Sequence, residues 1–448
     1  MKSYDPSLNF KDRWAAQKVY LTLDSSDYYK VIYMFGRWVE SRWKKKLGTP
    51  FVHLVFGARQ TGKSTLLRKL LPDAAIWLDF SRPAERVEYL RNPDLLVQRC
   101  RALPKSRRSA VVVVDEAQNV PEIFDAVQHL YDSDKRRWRF VLCGSSDRKL
   151  RVTGANLLPG RSLLHHLYPL LLAERPAPQA RKTRTESSSP LPMPFSGKTE
   201  EPWFPAADLL ERLTFGELPV IATAARAQRA GLLLAYTTVY LEEELRREAL
   251  VKNWPAFARF LQLAAADAGR IINYARISRD AGVSLPTVKS YYQLLEDMFI
   301  GFRVTAFSGS PRKSLLSTER FFFFDVGVRN AAAELPLSTA AARANPGPLF
   351  EQWVGIELWK RLQYLGGGKL HYLRTKAGAE VDFIIARGGR LVPIEVKWTE
   401  RPSVGDARQL TAFLNEHPKR ARHGYVVCRC AAPLALTDRV TALPWAGL

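Results

Sequence analysis

The sequence predicts an α/β chain in three main parts: a parallel sheet built around a phosphate-binding loop, a helical region with a winged-helix pattern, and a second α/β region at the carboxyl-terminal end. Three observations predict it. The octet Gly57-Ala58-Arg59-Gln60-Thr61-Gly62-Lys63-Ser64 stands between an apolar stretch and a stretch of helical period. Ile271–Phe299 reads as two helices around a tight turn. The stretch from Glu380 to Lys397 reads as a hairpin carrying acids and a lysine.

The octet fits G-x-x-x-x-G-K-[ST], a loop that cradles nucleoside triphosphate phosphates. PFVHLVF before it is apolar and rich in β-branched residues, as a buried strand is. STLLRKLL after it puts Leu66, Leu67, Leu70 and Leu71 at helical spacing. Strand, loop and helix then gather backbone N–H groups and a helix N-terminus around one anionic site, which residues 57–64 and Thr65 would line. Lys63 would reach the β and γ phosphates, and Ser64 would ligate Mg²⁺. ATP and Mg²⁺ are therefore the expected cofactors.

A second strand, Ala110–Val114, has five small apolar residues and ends in Asp115-Glu116. A strand buried on both faces belongs in a parallel sheet. Asp115 at its end would hold Mg²⁺, and Glu116 would polarise the attacking water, which makes the site hydrolytic. A third strand, Trp138–Gly144, ends in Ser145-Ser146, and either serine could sense the γ-phosphate by hydrogen bonding. Arg161, after Gly160, could stabilise transition-state charge in cis or from a neighbouring subunit.

GARQTGKSTL, VVVVDEAQ, LCGSS and LPGRSLLHHLYPL together resemble a prokaryotic family of AAA+-type ATPases in which the ATPase precedes a carboxyl-terminal region of poorly understood function. GELPVI (216–221), YTTVYLEEEL (236–245) and LFEQWVGIEL (349–358) are similar to later landmarks of that family, so the resemblance spans roughly residues 50–430. It implies an AAA+-like fold. By analogy with related ATPases a hexameric homo-oligomer is one expected assembly, alongside monomer or dimer.

The helical region is expected to hold a helix-turn-helix: Tyr274–Asp280, a turn at Ala281-Gly282-Val283, then a helix capped by Ser284 with Pro286 in its first turn. Ser284, Thr287, Lys289 and Ser290 would face a groove, and FIGFRVTAF with RFFFFDVG would form a wing around a turn at Ser310–Lys313.

In the last region Asp382, Glu395 and Lys397 fall on two strands joined by Ala386–Arg390, with Glu395 and Lys397 pointing to one face. Two carboxylates can hold a divalent cation, and a lysine beside it can orient water. This D…E-x-K set resembles the core of the restriction-endonuclease-like fold. Glu351 matches the acid such folds place on their first helix, and Gln409 a supporting polar position. Such domains in ATPase families also occur as DNA binders without cleavage.

The expected divisions are 1–48, a helical lead-in; 49–172, the ATPase; 173–204, a flexible linker rich in Pro, Ser and charge; 205–335, the helical and winged-helix region; and 336–448, the endonuclease-like domain. Charge bears on partners: 67 Lys and Arg against 44 Asp and Glu give +23. That excess points to a polyanion, most simply DNA, and less well to an anionic membrane surface. Basic runs lie at Arg42–Lys46, Lys105–Arg108, Lys135–Arg137, Arg181-Lys182 and Lys419–Arg422. With four cysteines, no signal peptide and no apolar run of membrane-spanning length, the expected location is the cytoplasm, without a membrane partner. The leading expectation is a Mg²⁺-dependent ATP hydrolase acting on or regulated by DNA, in junction or end processing. The alternatives are an ATP-gated metal-dependent nuclease and a nucleotide-dependent protein-binding switch.

Overall fold

The computed structural model describes residues 18–19, 32–33, 35–104, 109–145, 160–178, 191–192, 204–247, 253–308, 318–375 and 378–448. Five strands build the first sheet: β1 (Val52–Phe56), β2 (Ile76–Asp79), β3 (Ala110–Asp115), β4 (Trp138–Gly144) and β5 (Ser162–His166). All pair in parallel, in the order β2-β3-β4-β1-β5. Alternate residues of the central strands feed opposite cores. Leu54, Val112, Val114 and Leu142 pack with Phe124, Val127 and Leu130. Val55, Val113, Val141 and Cys143 pack with Trp43, Leu66 and Leu67. Two covered faces explain the unbroken apolar run of β3.

Helices dominate the middle of the chain. The helix-turn-helix forms as its sequence signals: Tyr274–Ala281 ends at Gly282 in the left-handed region (φ 70°), and Ser284 caps Leu285–Asp297 by accepting from the Thr287 amide. Gly282 suits that terminus because it has no Cβ to crowd the turn.

The next eight strands form one sheet: β6 (Gly301–Ala306), β7 (Glu319–Phe323), β8 (Gly368–Arg374), β9 (Glu380–Arg387), β10 (Arg390–Val396), β11 (Gly424–Cys428), β12 (Leu434–Thr437) and β13 (Val440–Pro444). Their order is β12-β13-β11-β10-β9-β8-β6-β7. The long helix Pro346–Leu365 covers one face with Phe350, Trp353, Val354 and Leu358, and Arg408–Glu416 covers the other with Leu410, Phe413 and Leu414. Gly355 lets that long helix approach closely, since a Cβ there would lie 2.5 Å from the Phe383 ring.

Three expectations are corrected. The β6–β7 hairpin does not stand as a free wing, because β6 pairs in parallel with β8 and so extends the carboxyl-terminal sheet; residues 309–317, with the expected turn, lie outside the described residues. The linker does not begin at 173, since Glu174, Arg175 and Ala177 are buried; residues 179–190 and 193–203 lie outside the described residues. Within the expected helical lead-in the described helix is Glu40–Leu47, while Lys18–Val19 and Ile32–Tyr33 pair as short antiparallel strands, as their β-branched and aromatic residues favour.

Two buried ion clusters join the parts. Arg37, 4% exposed, donates from Nε to Glu174 (3.0 Å), from Nη1 to the Thr61 carbonyl (2.8 Å) and from Nη2 to the Tyr168 carbonyl (2.7 Å). Glu357 on the long helix meets Lys360 (3.0 Å) and Arg361 (2.8 Å) and accepts from the Leu172 amide (3.2 Å). Burial raises the Glu357 pKa, but Lys360 and Arg361 outweigh it and hold the group at about 2.

Replacing Arg37 with Met leaves Glu174 buried without its cation, so urea unfolding should show a loss of about 3–5 kcal/mol, less in the R37M/E174Q double variant than the single losses summed. The Glu357 pKa lies below its ordinary value, so its contribution is present above about pH 4.5 and is lost as pH falls toward 2. Unfolding free energies measured from pH 6 to 2.5 should therefore fall more steeply for the wild type than for Glu357→Gln.

Candidate functional site

The phosphate loop leaves β1 at Phe56 and enters the helix Lys63–Leu70. Gly57 is required by close approach, because a Cβ would lie 2.2 Å from the Leu167 carbonyl oxygen. Gly62 caps the helix with φ 91°, and Gln60 also takes a positive φ, 63°. Thr61 ties the loop internally through Oγ1 to the Ala58 carbonyl (2.9 Å). Lys63 is buried, and its ammonium donates to the carbonyls of Gly57 (2.8 Å) and Ala58 (3.0 Å). Ser64 is half-buried and Thr65 exposed at the first turn of the same helix.

Strand β4 lies between β1 and β3, so Ser145 emerges between the phosphate loop and the acidic strand. Asp115 is buried at the end of β3, and its Oδ1 accepts from the Glu116 amide (3.1 Å). Glu116 takes a left-handed backbone, φ 52°, which turns the chain back at the strand end. The Gln118 amide donates to Glu116 and, at 3.2 Å, to the Ser145 hydroxyl. Ser145 in turn lies 3.4 Å from Glu116 Oε2 and donates to Glu244, from the helix Leu241–Arg247. Burial pushes the Glu116 carboxyl up; Lys63 opposes the shift, and Asp115 and Glu244 add to it.

Lys63, Asp115, Glu116 and Ser145 are thus brought to one end of the sheet. Ser146 lies outside the described residues. Arg161 is not part of this group. Its carbonyl accepts from Val52 at the opposite end of β1, and its guanidinium pairs with Asp132 at 2.7 Å. In a parallel sheet the loops at the two strand ends are a strand length apart, roughly 17 Å for five residues. A role for Arg161 toward its own chain's phosphates is excluded by that placement.

Beside the loop a cavity of about 310 Å³ runs past Gln60, Gly62 and Thr65 to Phe35, Phe204 and Val220. Phe35 and Phe204 stack with centroids 4.6 Å apart. A phosphate cradle that opens onto an apolar slot suits a nucleotide, with the base in the slot. The donor set Ser64 hydroxyl and Asp115 carboxylate suits a hard divalent cation.

The sheet of the last region gathers a second cluster. Burial pushes the Glu351 carboxyl up, and Asp382 adds to the shift; burial and Asp382 do the same to Glu395. Asp382 is also pushed up by burial, and it accepts from the Val396 amide (2.8 Å). Lys397 donates to Glu395 Oε1 (2.7 Å), while Glu395 Oε2 is buried without a hydrogen-bond partner. Two further residues join them. Arg320 of β7 donates to Glu351 (2.9 Å) and to Glu380, with its guanidinium 4.3 Å from the Tyr372 ring centroid. Among the described residues no three His, Cys, Asp or Glu side chains are arranged to hold a metal ion.

The sequence reading did not single out Arg37, Gln118, Glu244 or Arg320. Gln118 and Glu244 stood inside the quoted motifs VVVVDEAQ and YTTVYLEEEL. Arg320 carried a signal, a lone cation heading the apolar run RFFFF. Arg37 carried none.

Comparison with known proteins places this geometry. Residues 50–175 match the family model described as an AAA domain. Residues 206–339 and 346–448 match two models described as domains of unknown function, DUF8612 and DUF4143. Uncharacterized proteins of Mycobacterium tuberculosis and Mycobacterium bovis are each 25% identical over 367 residues, covering 81% of this chain and 74% of their own length. One of Haemophilus influenzae is 22% identical over 366 residues, covering 78% and 82%. Among solved structures, Drosophila ORC bound to AT-rich DNA and Cdc6 is similar over 68% of this chain and 89% of that one, at 9% identity and TM-score 0.22. A STAND ATPase with a tetratricopeptide repeat sensor from Pyrococcus horikoshii is similar over 77% and 49%, at 14% identity and TM-score 0.24. Among the described residues no helix is long and apolar enough to cross a membrane. On the loop, the strand order and the match over residues 50–175, the first sheet belongs to an AAA-type ATPase domain.

Proposed function

We propose that the chain is a Mg²⁺-dependent ATP hydrolase whose turnover is coupled to DNA. One observation carries the hydrolytic reading: Glu116, Gln118 and Ser145 form a hydrogen-bonded group at the strand ends beside Lys63. Ser64 and Asp115 would hold Mg²⁺. When bound, Mg²⁺·ATP supplies a γ-phosphoryl group whose charge the cation spreads. Lys63 gives its ammonium to the phosphate oxygens in place of the Gly57 and Ala58 carbonyls. The Glu116 carboxylate accepts a proton from the attacking water, and burial, by raising its basicity, suits it to that task. Gln118 fixes the carboxylate's orientation.

DNA is supported by the charge of +23 and by Lys289, Ser290 and Gln293 exposed on the helix pair, beside Arg276 and Arg279, which pair with Asp267 and Asp280. A second reading, metal-dependent nuclease action, is favoured by the buried, unpartnered Oε2 of Glu395 beside Asp382 and Lys397. The α-β-β-β-α-β succession from Pro346 to Cys428 agrees with an endonuclease-like frame. Glu351, held by Arg320, stands outside that ligand set as arranged. Asp382 and Glu395 would hold the cation, which supplies polarised water; Lys397 would orient that water.

Phosphate release should fall about a hundredfold or more in Lys63→Ala and Glu116→Gln, with ATP still bound by the Glu116 variant. Duplex, single-stranded or four-way DNA should raise the wild-type rate, and the DNA affinity should drop steeply with salt. Unchanged hydrolysis in both variants would overturn the ATPase assignment, and no DNA binding at low salt would leave a protein-binding switch. On the nuclease reading, calorimetry should show Mn²⁺ uptake and labelled DNA should be cut, both lost in Asp382→Asn; no uptake and no cleavage would remove it.

A further inference from the structure

Ser145 has one hydroxyl proton to donate and two carboxylates that can accept its hydrogen bond. Glu116 Oε2 lies 3.4 Å away, and Glu244 holds the closer bond. The Gln118 amide also donates to the Ser145 oxygen, so the hydroxyl cannot turn its proton back toward that group. Glu244 does not belong to the sheet. It comes from the helix Leu241–Arg247, which follows a π-helical turn over Tyr236–Tyr240. Such turns are concentrated at functional sites because the widened backbone re-aims side chains. The same segment touches the phosphate loop on its other side. The buried Tyr236 hydroxyl donates to the Arg59 carbonyl (3.4 Å), and the Arg59 guanidinium lies 5.1 Å from the Tyr240 ring centroid. One helical segment therefore straddles the site, with a carboxylate at the sensing serine and two tyrosines at the loop.

We propose that Glu244 is a specificity-determining residue: it occupies the Ser145 hydroxyl that a γ-phosphate would claim, and it thereby sets the site's discrimination between nucleoside triphosphates and diphosphates. The inference rests on the reading that the loop at Gly57–Ser64 takes a nucleotide. Charge supplies the reason. A γ-phosphate brings more negative charge to a place already faced by Asp115, Glu116 and Glu244, with Lys63 the cation that acts on Glu116. Asp115 and Glu116 are matched to the metal and the water. Glu244 has no such match, so it is the carboxylate that gives way. A diphosphate ends short of Ser145 and leaves the Glu244 bond in place. A triphosphate accepts the serine's hydrogen bond in place of Glu244, and the lost bond is felt by the Leu241–Arg247 helix, whose Leu241 and Leu245 pack in the core of the helical region.

The test measures binding of ADP and of a non-hydrolysable ATP analogue, by displacement of a fluorescent nucleotide in Mg²⁺. In Glu244→Gln, which keeps the shape and weakens the acceptor, the triphosphate should bind about tenfold tighter, roughly the worth of the one hydrogen bond that Ser145 is then free to give a charged phosphate. The diphosphate should stay within about twofold, which also reports that the variant is folded. Adding Ser145→Ala should cancel the gain. Equal shifts for both nucleotides, or none in a wild type that binds both, would overturn the inference alone. A wild type that binds neither would overturn the loop reading and this inference together.

Discussion

The guanidinium of Arg37 is the constraint on which the arrangement of the phosphate site depends. A buried arginine must have its charge matched and its N–H groups bonded, or the fold loses several kcal/mol. Arg37 meets that demand with groups from three places: the Thr61 carbonyl in the loop, the Tyr168 carbonyl beyond β5, and the carboxylate of Glu174. Glu174 is itself fixed by the amides of Trp38 and Leu171. The loop's conformation is thus imposed from outside it, and the segment from Leu167 to Arg175 carries the imposition. The Leu167 amide also bonds the Phe56 carbonyl at the root of the loop, while its carbonyl oxygen is what excludes a side chain at Gly57.

That segment is also where the carboxyl-terminal domain docks. The Tyr364 hydroxyl accepts from the Tyr168 amide (3.1 Å), and its ring packs in one apolar cluster with Val55, Val113 and Val141 of the first sheet. Lys360 donates to the Leu170 carbonyl, and Glu357 accepts from Leu172. Three side chains on successive turns of one helix therefore grip a stretch whose other side shapes the phosphate loop. Glu357 can be 1% exposed there because Lys360 and Arg361 both face its charge. The second domain is joined to the segment behind the phosphate loop by specific polar bonds, whose geometry tolerates little sliding.

What the sequence made legible was local. The loop, its strand, the acidic strand and the capped helix pair each announce themselves within about a dozen residues, through period, glycine placement and capping chemistry. What it hid was pairing at a distance. The hairpin Gly301–Phe323 has the pattern of a wing, and only the parallel register of β6 with β8 joins it to a different sheet. Arg161 is close in sequence to Ser145, but it precedes β5, and the parallel pairing of β5 with β1 puts it at the opposite end of the sheet. Glu174 and Arg175 head a stretch whose composition reads as solvated, yet Arg37 and Glu217 bury them as ion pairs. In the acidic cluster, Asp382, Glu395 and Lys397 were readable from a hairpin. Arg320, which binds Glu351 and Glu380 from another strand, was not.

The core of the helical region reaches the phosphate loop. Ala58 of the phosphate loop is packed in one apolar cluster with Tyr236, Leu241 and Leu245 of the straddling segment, and with Ile277, Val288 and Leu295 of the helix pair. Phe299, which ends the second of those helices with φ 59°, stacks on Phe56 with centroids 6.2 Å apart. A close-packed core transmits displacement because it has no free volume to absorb it. A shift of the loop is therefore met by the helix pair through apolar contact at Ala58 and Phe56, and through polar contact at Glu244. The outer face of that pair, with Lys289, Ser290 and Gln293 exposed, is the surface such a shift would re-aim.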